Sequence, residues 1–201
     1  MQTLQLDINK RYSFADYLTW FDKKRRELFS GIVKKMSPAP LRIHQEISSI
    51  IHVEIGNYLK KKKCKIFSAP FDVRLPKNGE TADEDIFTVV QPDLSIICDL
   101  TKLDRRGCLG APDMIIEIVS PDNAKRDVED KYKLYEEYGI NEYWIVFPET
   151  KTVHCFILDE NNKYKLTGMY AEKGKVKVNI FDDLYIELED VFTYNFEELY
   201  K

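Results

Sequence analysis

The segment Met114–Ser120 constrains the fold of this chain more than any other. It is apolar apart from Glu117 and its final serine, which is typical of a buried central strand. The run Gln91–Cys98 has a similar character and comes before it. Two longer segments have apolar residues at helical spacing and lie on either side of these strands in the sequence: His44–Lys63, and a segment from Asn123 or Ala124 to Tyr138. Helices and strands in this order predict an α/β or α+β sandwich with a mixed sheet.

The other elements are predicted from caps, turn residues and alternation. Ser13 has the character of an N-cap for a first helix that runs to Arg26. The segment Glu27–Met36 alternates around Gly31 and predicts a strand or hairpin. Further strands are predicted at Ile66–Leu75, Glu142–Phe147, Thr152–Leu158, Tyr164–Tyr170 and Val176–Ile180.

Length and charge exclude several classes of protein. The chain has 201 residues, with 30 Lys and Arg against 34 Asp and Glu, so its formal net charge is -4. This length favours one domain over residues 1–201. The charge argues against a protein that coats nucleic acid, but an enzyme that holds cations beside phosphate is compatible with it. No stretch has the ~18 apolar residues of a membrane span or the pattern of a signal peptide, so we expect a cytoplasmic protein without membrane contact.

The cysteines carry no metal-binding or disulfide pattern. Cys64, Cys98, Cys108 and Cys155 are widely and irregularly spaced, and no Cys-x-x-Cys pair occurs. We therefore expect reduced cysteines that pack in the core.

A carboxylate inside an apolar strand marks the first candidate site. Glu117 needs a cation if its strand is buried, because an unpaired buried charge is costly. Asp93 stands at the start of the other buried-type strand, and neighbouring strands lie ~4.8 Å apart. Asp93 and Glu117 could then bind one hard metal ion. The alternative for Asp93 is a residue that merely begins a strand after Pro92.

Asp113 competes with Asp93 for the same role. It precedes Glu117 by four residues on one strand, so the two Cα atoms would be ~13 Å apart in an extended chain. That distance is too large for one shared ion. We therefore prefer Asp93 and interpret Asp113 as a strand-entry residue.

A lysine inside an apolar helix face marks the second candidate. Lys131 falls within the arc of the last helix that also contains Val128 and Tyr135. Such a lysine must extend to water or find a carboxylate. Asp127, one turn earlier, is a candidate partner, and an ordinary ion pair along the helix is the alternative.

Polar residues of the long helix are further candidates. Glu54 lies on its apolar side and His44 near the edge of that side, so either could approach a site on the sheet. A surface ion pair for Glu54 and a cap or surface position for His44 are the alternatives. The helix ends in four lysines that complement its C-terminal dipole or contact a phosphate backbone, namely Lys60, Lys61, Lys62 and Lys63.

Several segments together resemble the bacterial Uma-type family of restriction endonuclease-like proteins, within the PD-(D/E)XK nuclease superfamily. The specific match is four segments in order: Gln91–Ser95, Gly110–Pro121, Arg126–Tyr135 and Gly139–Val146. Glu27–Gly31 resembles the N-terminal part of the family, as do Met36–Pro38 and His44. The resemblance covers roughly Glu27–Phe192, and any one segment alone would be a weak signal.

The resemblance implies a restriction-endonuclease-like α/β core, with a mixed central sheet flanked by helices, and phosphodiester chemistry with Mg²⁺ or Mn²⁺. Asp93 and Glu117 correspond to the metal-binding acids of the superfamily. The superfamily's E-x-K pattern places a lysine where this chain has Val119, and Lys131 is the replacement from the next helix. Asp93, Glu117 and Lys131 are thus the expected catalytic residues. Four further residues are candidate supporting residues: Glu27, His44, Glu54 and Asp127.

Three functions remain open at this point. The first is a Mg²⁺-dependent endonuclease that hydrolyses DNA, for which superfamily analogy favours a homodimer that cuts two strands. The second is a nuclease-like nucleic-acid-binding module with weak catalysis, which the absent E-x-K lysine and the acidic composition both permit. The third is a metal-dependent phosphoesterase that acts on a smaller substrate.

Overall fold

Four helices in the described part of the chain surround strands that form two large sheets. The computed structural model describes residues 4–7, 9–22, 24–36, 41–120 and 124–193, the last range with side chains from Val128 onward. The helices are α1 (Phe14–Leu18), α2 (Arg42–Leu59), α3 (Ala124–Glu137) and α4 (Leu188–Val191). None of the described helices is both long and apolar enough to cross a membrane.

The strands are short, and most lie between residues 65 and 187. In chain order they are β1 (Arg26–Phe29), β2 (Ile32–Lys35), β3 (Lys65–Ser68), β4 (Val73–Arg74), β5 (Val89–Val90), β6 (Leu94–Ile97), β7 (Leu103–Asp104), β8 (Gly107–Leu109), β9 (Met114–Ile118), β10 (Glu142–Phe147), β11 (Thr152–Leu158), β12 (Tyr164–Ala171), β13 (Lys175–Lys177) and β14 (Tyr185–Glu187).

One six-stranded sheet forms the centre of the molecule, in the order β12-β11-β10-β9-β6-β3. The pair β9 and β10 is parallel, and the other neighbours are antiparallel. The helix α3 connects the parallel pair, as such a pair requires a crossover. The predicted mixed central sheet flanked by helices is confirmed.

The second six-stranded sheet has the order β2-β1-β5-β4-β8-β7. Its first two strands form the hairpin that was predicted around Gly31. The strand β1 also pairs with β5 through Leu28 and Val89. This pairing brings the N-terminal hairpin beside the segment that leads into β6.

The central sheet is covered on both faces because its strands alternate between two cores. On one face Ile116 of β9 packs with Ile47 and Ile51 of α2. On the other face Ile115 packs with Leu134 and Tyr135 of α3. The strand β9 is therefore buried throughout, as its apolar sequence predicted.

The predicted long helix is present but shorter. Its buried residues recur at every fourth position, at Ile47, Ile51, Ile55 and Leu59, so that one stripe faces the sheet. The helix ends at Leu59, and the four lysines follow it as an exposed turn before β3.

Three other expectations differ from the structure in their extent. Ser13 does cap α1, but the helix ends at Leu18 rather than Arg26, and Trp20 folds back onto the Tyr12 and Tyr17 rings. The run predicted as one strand at 66–75 is divided into strands at 65–68 and 73–74, and the run predicted at 91–98 is a strand only at 94–97. Pro70 lies in the gap of the first run and Pro92 at the start of the second, and proline cannot donate to a strand ladder.

The expectation of four reduced cysteines is wrong for two of them. Cys64 and Cys98 form a disulfide, whereas Cys108 and Cys155 are free and buried. The register explains the pairing, because Lys65 of β3 lies opposite Ile97 of β6 and the two cysteines are the next residues outward. The strand pairing that joins them was not evident from their spacing in the sequence.

Candidate active site

Strand pairing brings Asp93 and Glu117 to the same place on the central sheet. The strands β6 and β9 are antiparallel neighbours, and Leu94 lies opposite Ile116. Asp93 and Glu117 are the next residues along each strand in that register. The predicted neighbourhood of the two strands is confirmed, and it places two acidic residues across from each other at one end of the pair.

Asp93 is fixed by the strand that it faces and by the start of α2. The backbone N–H of Ile118 donates a hydrogen bond of 2.8 Å to Asp93 Oδ2. His44 Nε2 donates to the same oxygen over 3.0 Å. The proton must lie on Nε2, because a carboxylate can only accept. His44 is 7% exposed and Asp93 is partly buried, so their contact lies at the edge of the buried cluster.

Glu117 receives two hydrogen bonds from one face of α3. Lys131 Nζ lies 2.9 Å and the Tyr135 hydroxyl 2.6 Å from Glu117 Oε1. The two donors are four residues apart, so they lie one above the other on the helix. Glu117 is 8% and Lys131 6% exposed, which makes this a buried ion pair. The apolar arc around Lys131 therefore turns its ammonium group toward the sheet.

A third carboxylate reaches the ammonium group from the second sheet. Glu27 lies on β1 and is buried, and its Oε1 is 3.6 Å from Lys131 Nζ. The same oxygen accepts a hydrogen bond of 2.9 Å from the backbone N–H of Gln91. One lysine thus lies between acids of both sheets. Sequence periodicity offered no reason to place Glu27 there.

The surroundings of Glu117 raise its pKa on balance. Burial raises the pKa of Glu117, the charge of Lys131 lowers it, and the charges of Asp93 and Glu27 raise it again. Burial also holds the pKa of Tyr135 well above its ordinary value, so the hydroxyl keeps its proton and donates to Glu117. A second cation beside these acids would favour their charged forms.

Each of the three acids uses only one carboxylate oxygen in the contacts described above, and Asp93 and Glu117 are the two that were predicted to bind a metal ion. Asp93 uses Oδ2, and Glu117 uses Oε1, for all the hydrogen bonds described above. The second oxygen of each carboxylate takes no part in these bonds. Magnesium commonly binds through one or two carboxylates together with water and substrate phosphate, so this pair of donors fits it. Within the described ranges, no group of three or more His, Cys, Asp or Glu residues has metal-binding geometry.

Other predicted residues lie away from this cluster. Glu54 is exposed and follows His44 by ten residues, or ~15 Å along a helix. The lysines at 60–63 are also exposed, and they lie beyond the far end of α2. Asp113 accepts a hydrogen bond of 2.7 Å from the backbone of Cys98 at the opposite end of β9. The side chain of Asp127 lies outside the described residues.

Sequence reasoning assigned Tyr135 to the apolar arc and missed its hydrogen bond to Glu117. A signal was available, since Tyr135 follows Lys131 by one helical turn and its hydroxyl needs a partner when buried. Gln91 was also not recognised as the backbone donor to Glu27. No local pattern predicts that contact, because it joins residues 64 positions apart.

Comparison with solved structures shows a related fold. A crystal structure titled as a putative nuclease belonging to DUF820, from Anabaena variabilis, superposes with a TM-score of 0.69. Its sequence is 18% identical, and the match covers 90% of this chain and 98% of that one. No protein of curated function matches the chain in sequence.

A family model gives the more specific assignment. Residues 14–189 match the model of the Uma2 family, which is described as "Putative restriction endonuclease". This range includes β1, the start of α2, β6, β9 and α3, and therefore every element that contributes to the acidic cluster around Lys131. The chain belongs to the Uma2 family of restriction endonuclease-like proteins.

Proposed function

We propose that this protein is a divalent-metal-dependent endonuclease that hydrolyses phosphodiester bonds of DNA. Membership of the Uma2 family supports a nuclease function. The observation that carries the finer proposal is the convergence of Asp93, Glu117 and Lys131 at one end of the β6–β9 pair. These are the acidic and basic residue types that hydrolysis of a phosphodiester requires.

In this proposal Asp93 and Glu117 hold Mg²⁺ or Mn²⁺. The bound cation would supply polarisation of a phosphoryl oxygen and a lower pKa for coordinated water. The protein contributes the orientation of both acids, because Asp93 is held by Ile118 and His44, and Glu117 by Lys131 and Tyr135. Ligands that are fixed by hydrogen bonds of their own bind metal more tightly than mobile ones.

Lys131 takes the place of the lysine that the E-x-K pattern locates at Val119. Its ammonium group lies 2.9 Å from the Glu117 carboxylate, and it approaches from α3 rather than from β9. A lysine there can orient water by hydrogen bonding and stabilise negative charge that develops on phosphate. Val119 is partly buried in the core beside α3, which leaves the helix as the source of the charge.

Glu27 and His44 have supporting roles in this proposal. Glu27 lies within 3.6 Å of Lys131 Nζ, so it helps to compensate the buried charge. His44 orients Asp93 by donating from Nε2. We assign no role to Glu54, which is exposed, and the role of Asp127 stays a prediction. A homodimer that cuts both strands is also part of the proposal, by analogy with the superfamily.

Nicking of a supercoiled plasmid tests the proposal most directly. Purified protein should nick it with Mg²⁺ or Mn²⁺ and stop when the metal is chelated, and Glu117→Ala prepared in parallel should be inactive. A small phosphodiester such as bis(4-nitrophenyl) phosphate, measured alongside, separates a nuclease from a phosphoesterase of small substrates. Hydrolysis of this ester without nicking would favour the phosphoesterase. Binding of DNA without hydrolysis of either substrate would favour a binding module.

A further inference from the structure

A polar groove begins at the candidate active site and continues along α2. It has a cavity volume of about 340 Å³, at the small end of the range for ligand pockets. Asp93 and His44 form one end of it. The role proposed for Asp93 involves only this end, so the remaining length has no function in the metal site.

One face of the groove is a regular stripe of α2. The helix contributes His44, Gln45, Ser48, Ser49, His52 and Val53, which recur at intervals of one turn. Eight residues of helix separate the first from His52, a distance of ~12 Å. Each strand of a DNA duplex advances ~3.4 Å per nucleotide along the helix axis, so the groove can hold at most a few nucleotides of one strand.

The opposite wall comes from the end of β3. Ser68 and Ala69 line it, and a hydrogen bond of 2.7 Å between Ser68 Oγ and His52 Nδ1 joins this wall to the helix. Hydroxyl, imidazole and amide groups therefore predominate along its length. Among the described residues that line the groove, Asp93 is the only carboxylate. Such a lining suits the phosphates and sugars of a nucleic-acid backbone, which are contacted mainly by Arg, Ser, Gln and similar donors.

Arg25 supplies the positive charge of the groove. Its Nε donates a hydrogen bond of 3.0 Å to Gln91 Oε1, and the side chain is otherwise exposed. Its charge also acts on the buried carboxylate of Asp72, whose pKa it lowers, although the described residues contain no ion pair between the two. The terminal nitrogens of the guanidinium group are thus available for a planar, two-pronged contact with phosphate.

Gln91 connects this arginine to the acidic cluster. Its side chain accepts from Arg25, and its backbone N–H donates to Glu27 Oε1 over 2.9 Å. The side-chain nitrogen Nε2 of Gln91 donates a hydrogen bond of 2.8 Å to Asp72 Oδ1, which fixes the orientation of the side-chain amide. The charge of Arg25 is therefore positioned relative to Glu27 by a buried residue.

We propose that the groove binds the sugar–phosphate backbone of the DNA strand that passes Asp93, and that Arg25 contacts a phosphate adjacent to the one that is cleaved. This inference rests on the proposed function for the identity of the strand. It goes beyond that function by assigning Arg25, Gln45, Ser48, Ser49, His52 and Ser68 to substrate binding rather than to hydrolysis.

The first test compares two exposed arginines in the binding of a fluorescein-labelled DNA duplex, with metal chelated so that no cleavage occurs. Arg25→Met should weaken binding by about tenfold, as expected for removal of a charge-assisted hydrogen bond. The slope of log K against log salt should fall by about 0.9 in magnitude. Arg105→Met is the matched control, because Arg105 is exposed and does not line the groove. It should bind as the wild type does.

The second test adds negative charge without a change of shape. Gln45→Glu places a carboxylate in the groove, and Asn161→Asp adds the same charge at an exposed turn between β11 and β12. Both positions are exposed, so both variants should fold, as thermal melting would verify. Gln45→Glu should weaken duplex binding, and Asn161→Asp should not.

Inorganic phosphate serves as the probe for a simpler site. If phosphate binds as tightly as the duplex, and if Arg25→Met weakens the binding of both equally, the groove holds a single phosphate and the strand proposal is overturned. Wild-type affinity and salt slope in folded Arg25→Met and Gln45→Glu would also overturn it, as would a wild-type protein that does not bind duplex.

The two proposals fail in different experiments. Binding that depends on Arg25 and Gln45, in a protein that never nicks plasmid, would refute the nuclease and keep the groove. Metal-dependent nicking with binding that is indifferent to both residues would keep the nuclease and refute the groove.

Discussion

Glu117 and Glu142 are both buried carboxylates, and they lie on the neighbouring strands β9 and β10. Glu142 accepts hydrogen bonds from Trp144 Nε1 at 2.7 Å, Asn179 Nδ2 at 3.2 Å and the backbone N–H of Ile180 at 2.9 Å. Both of its oxygens are engaged, and every donor is uncharged. Burial raises the pKa of Glu142, as it does that of Glu117.

Glu117 differs in the charge of its surroundings. It shares a buried cluster with the ammonium group of Lys131 and the carboxylates of Asp93 and Glu27. The register places the two glutamates on opposite faces, since Glu142 is opposite Met114 and Ile145 is opposite Glu117. A buried carboxylate is therefore not by itself a sign of a site. Neutral donors that engage both oxygens indicate a structural role, whereas like charges held around one cation indicate a group that binds something further.

The largest expected effect separates the two glutamates by activity. Glu117→Gln should lower metal-dependent cleavage by ~10³-fold, because a metal ligand is removed while the shape is kept. Glu142→Gln should leave the rate per folded molecule nearly unchanged. Single-turnover cleavage of a labelled duplex measures both. Equal losses in the two variants would remove the functional distinction between the two carboxylates.

Lys131 gives the next largest effect. Lys131→Met retains length and suits the apolar face of α3, so the protein should fold and cleave about 10²-fold more slowly. If the ion pair with Glu117 is only structural, the same change should alter the melting temperature and preserve cleavage. Both quantities should be measured on one preparation. Full activity in folded Lys131→Met would refute the catalytic role of the lysine.

Metal affinity distinguishes the two ends of β9. Asp93→Asn should weaken Mg²⁺ binding by at least about tenfold, because loss of a residue that only hydrogen-bonds to a metal ligand commonly weakens binding by that much. Asp113→Asn should leave it unchanged, since Asp113 bonds to the Cys98 backbone at the far end of the strand. Isothermal titration calorimetry provides the comparison. The reverse result in folded proteins would assign the site to Asp113.

The stability of the Glu142 region should depend on pH with a definite sign. Because burial raises the pKa of Glu142 above its ordinary value of 4.5, the folded chain retains a proton that the unfolded chain has already released. The contribution of Glu142 to the free energy of unfolding is then complete below the ordinary pKa and declines as pH rises through the folded one. Wild-type protein should lose stability relative to Glu142→Gln over that range. Denaturant melts at several pH values test this, and parallel curves for the two proteins would contradict it.

The smallest effect concerns surface charge beyond the C-terminal end of α2. Lys62 lies over the Tyr58 ring and 3.6 Å from Asp183, so its charge is partly compensated. Substitution of Lys60, Lys61 and Lys63 by Gln should reduce the salt slope of duplex binding by about 0.9 for each phosphate that these lysines neutralise. An unchanged slope would exclude these lysines from the interface and leave the groove along α2 as the basic contact.

The sequence predicted the central elements of this fold well because their patterns are strong. The apolar run of β9, the helical periodicity of α2 and the turn residues of the later hairpins each specify an element locally. It was less accurate where tertiary contacts override local preference. The first helix ends at Leu18, where Trp20 then packs on the Tyr12 and Tyr17 rings, and the register of β3 and β6 joins two cysteines that have no pairing motif.

The candidate site shows the same division. Glu117 and Lys131 contradict the apolar faces on which they lie, so the sequence alone identified both as residues that need charged partners. Which partners they have was decided by the tertiary structure. Lys131 of α3 contacts Glu117 of the central sheet and Glu27 of the second sheet. Helical spacing had instead suggested Asp127 as its partner. Glu27 and Lys131 are 104 positions apart, and periodicity carries no information over that range. Only the pairing of β1 with β5 and of β6 with β9 brings these charges together, because strand register fixes position across the chain and local sequence fixes only the face on which a side chain lies.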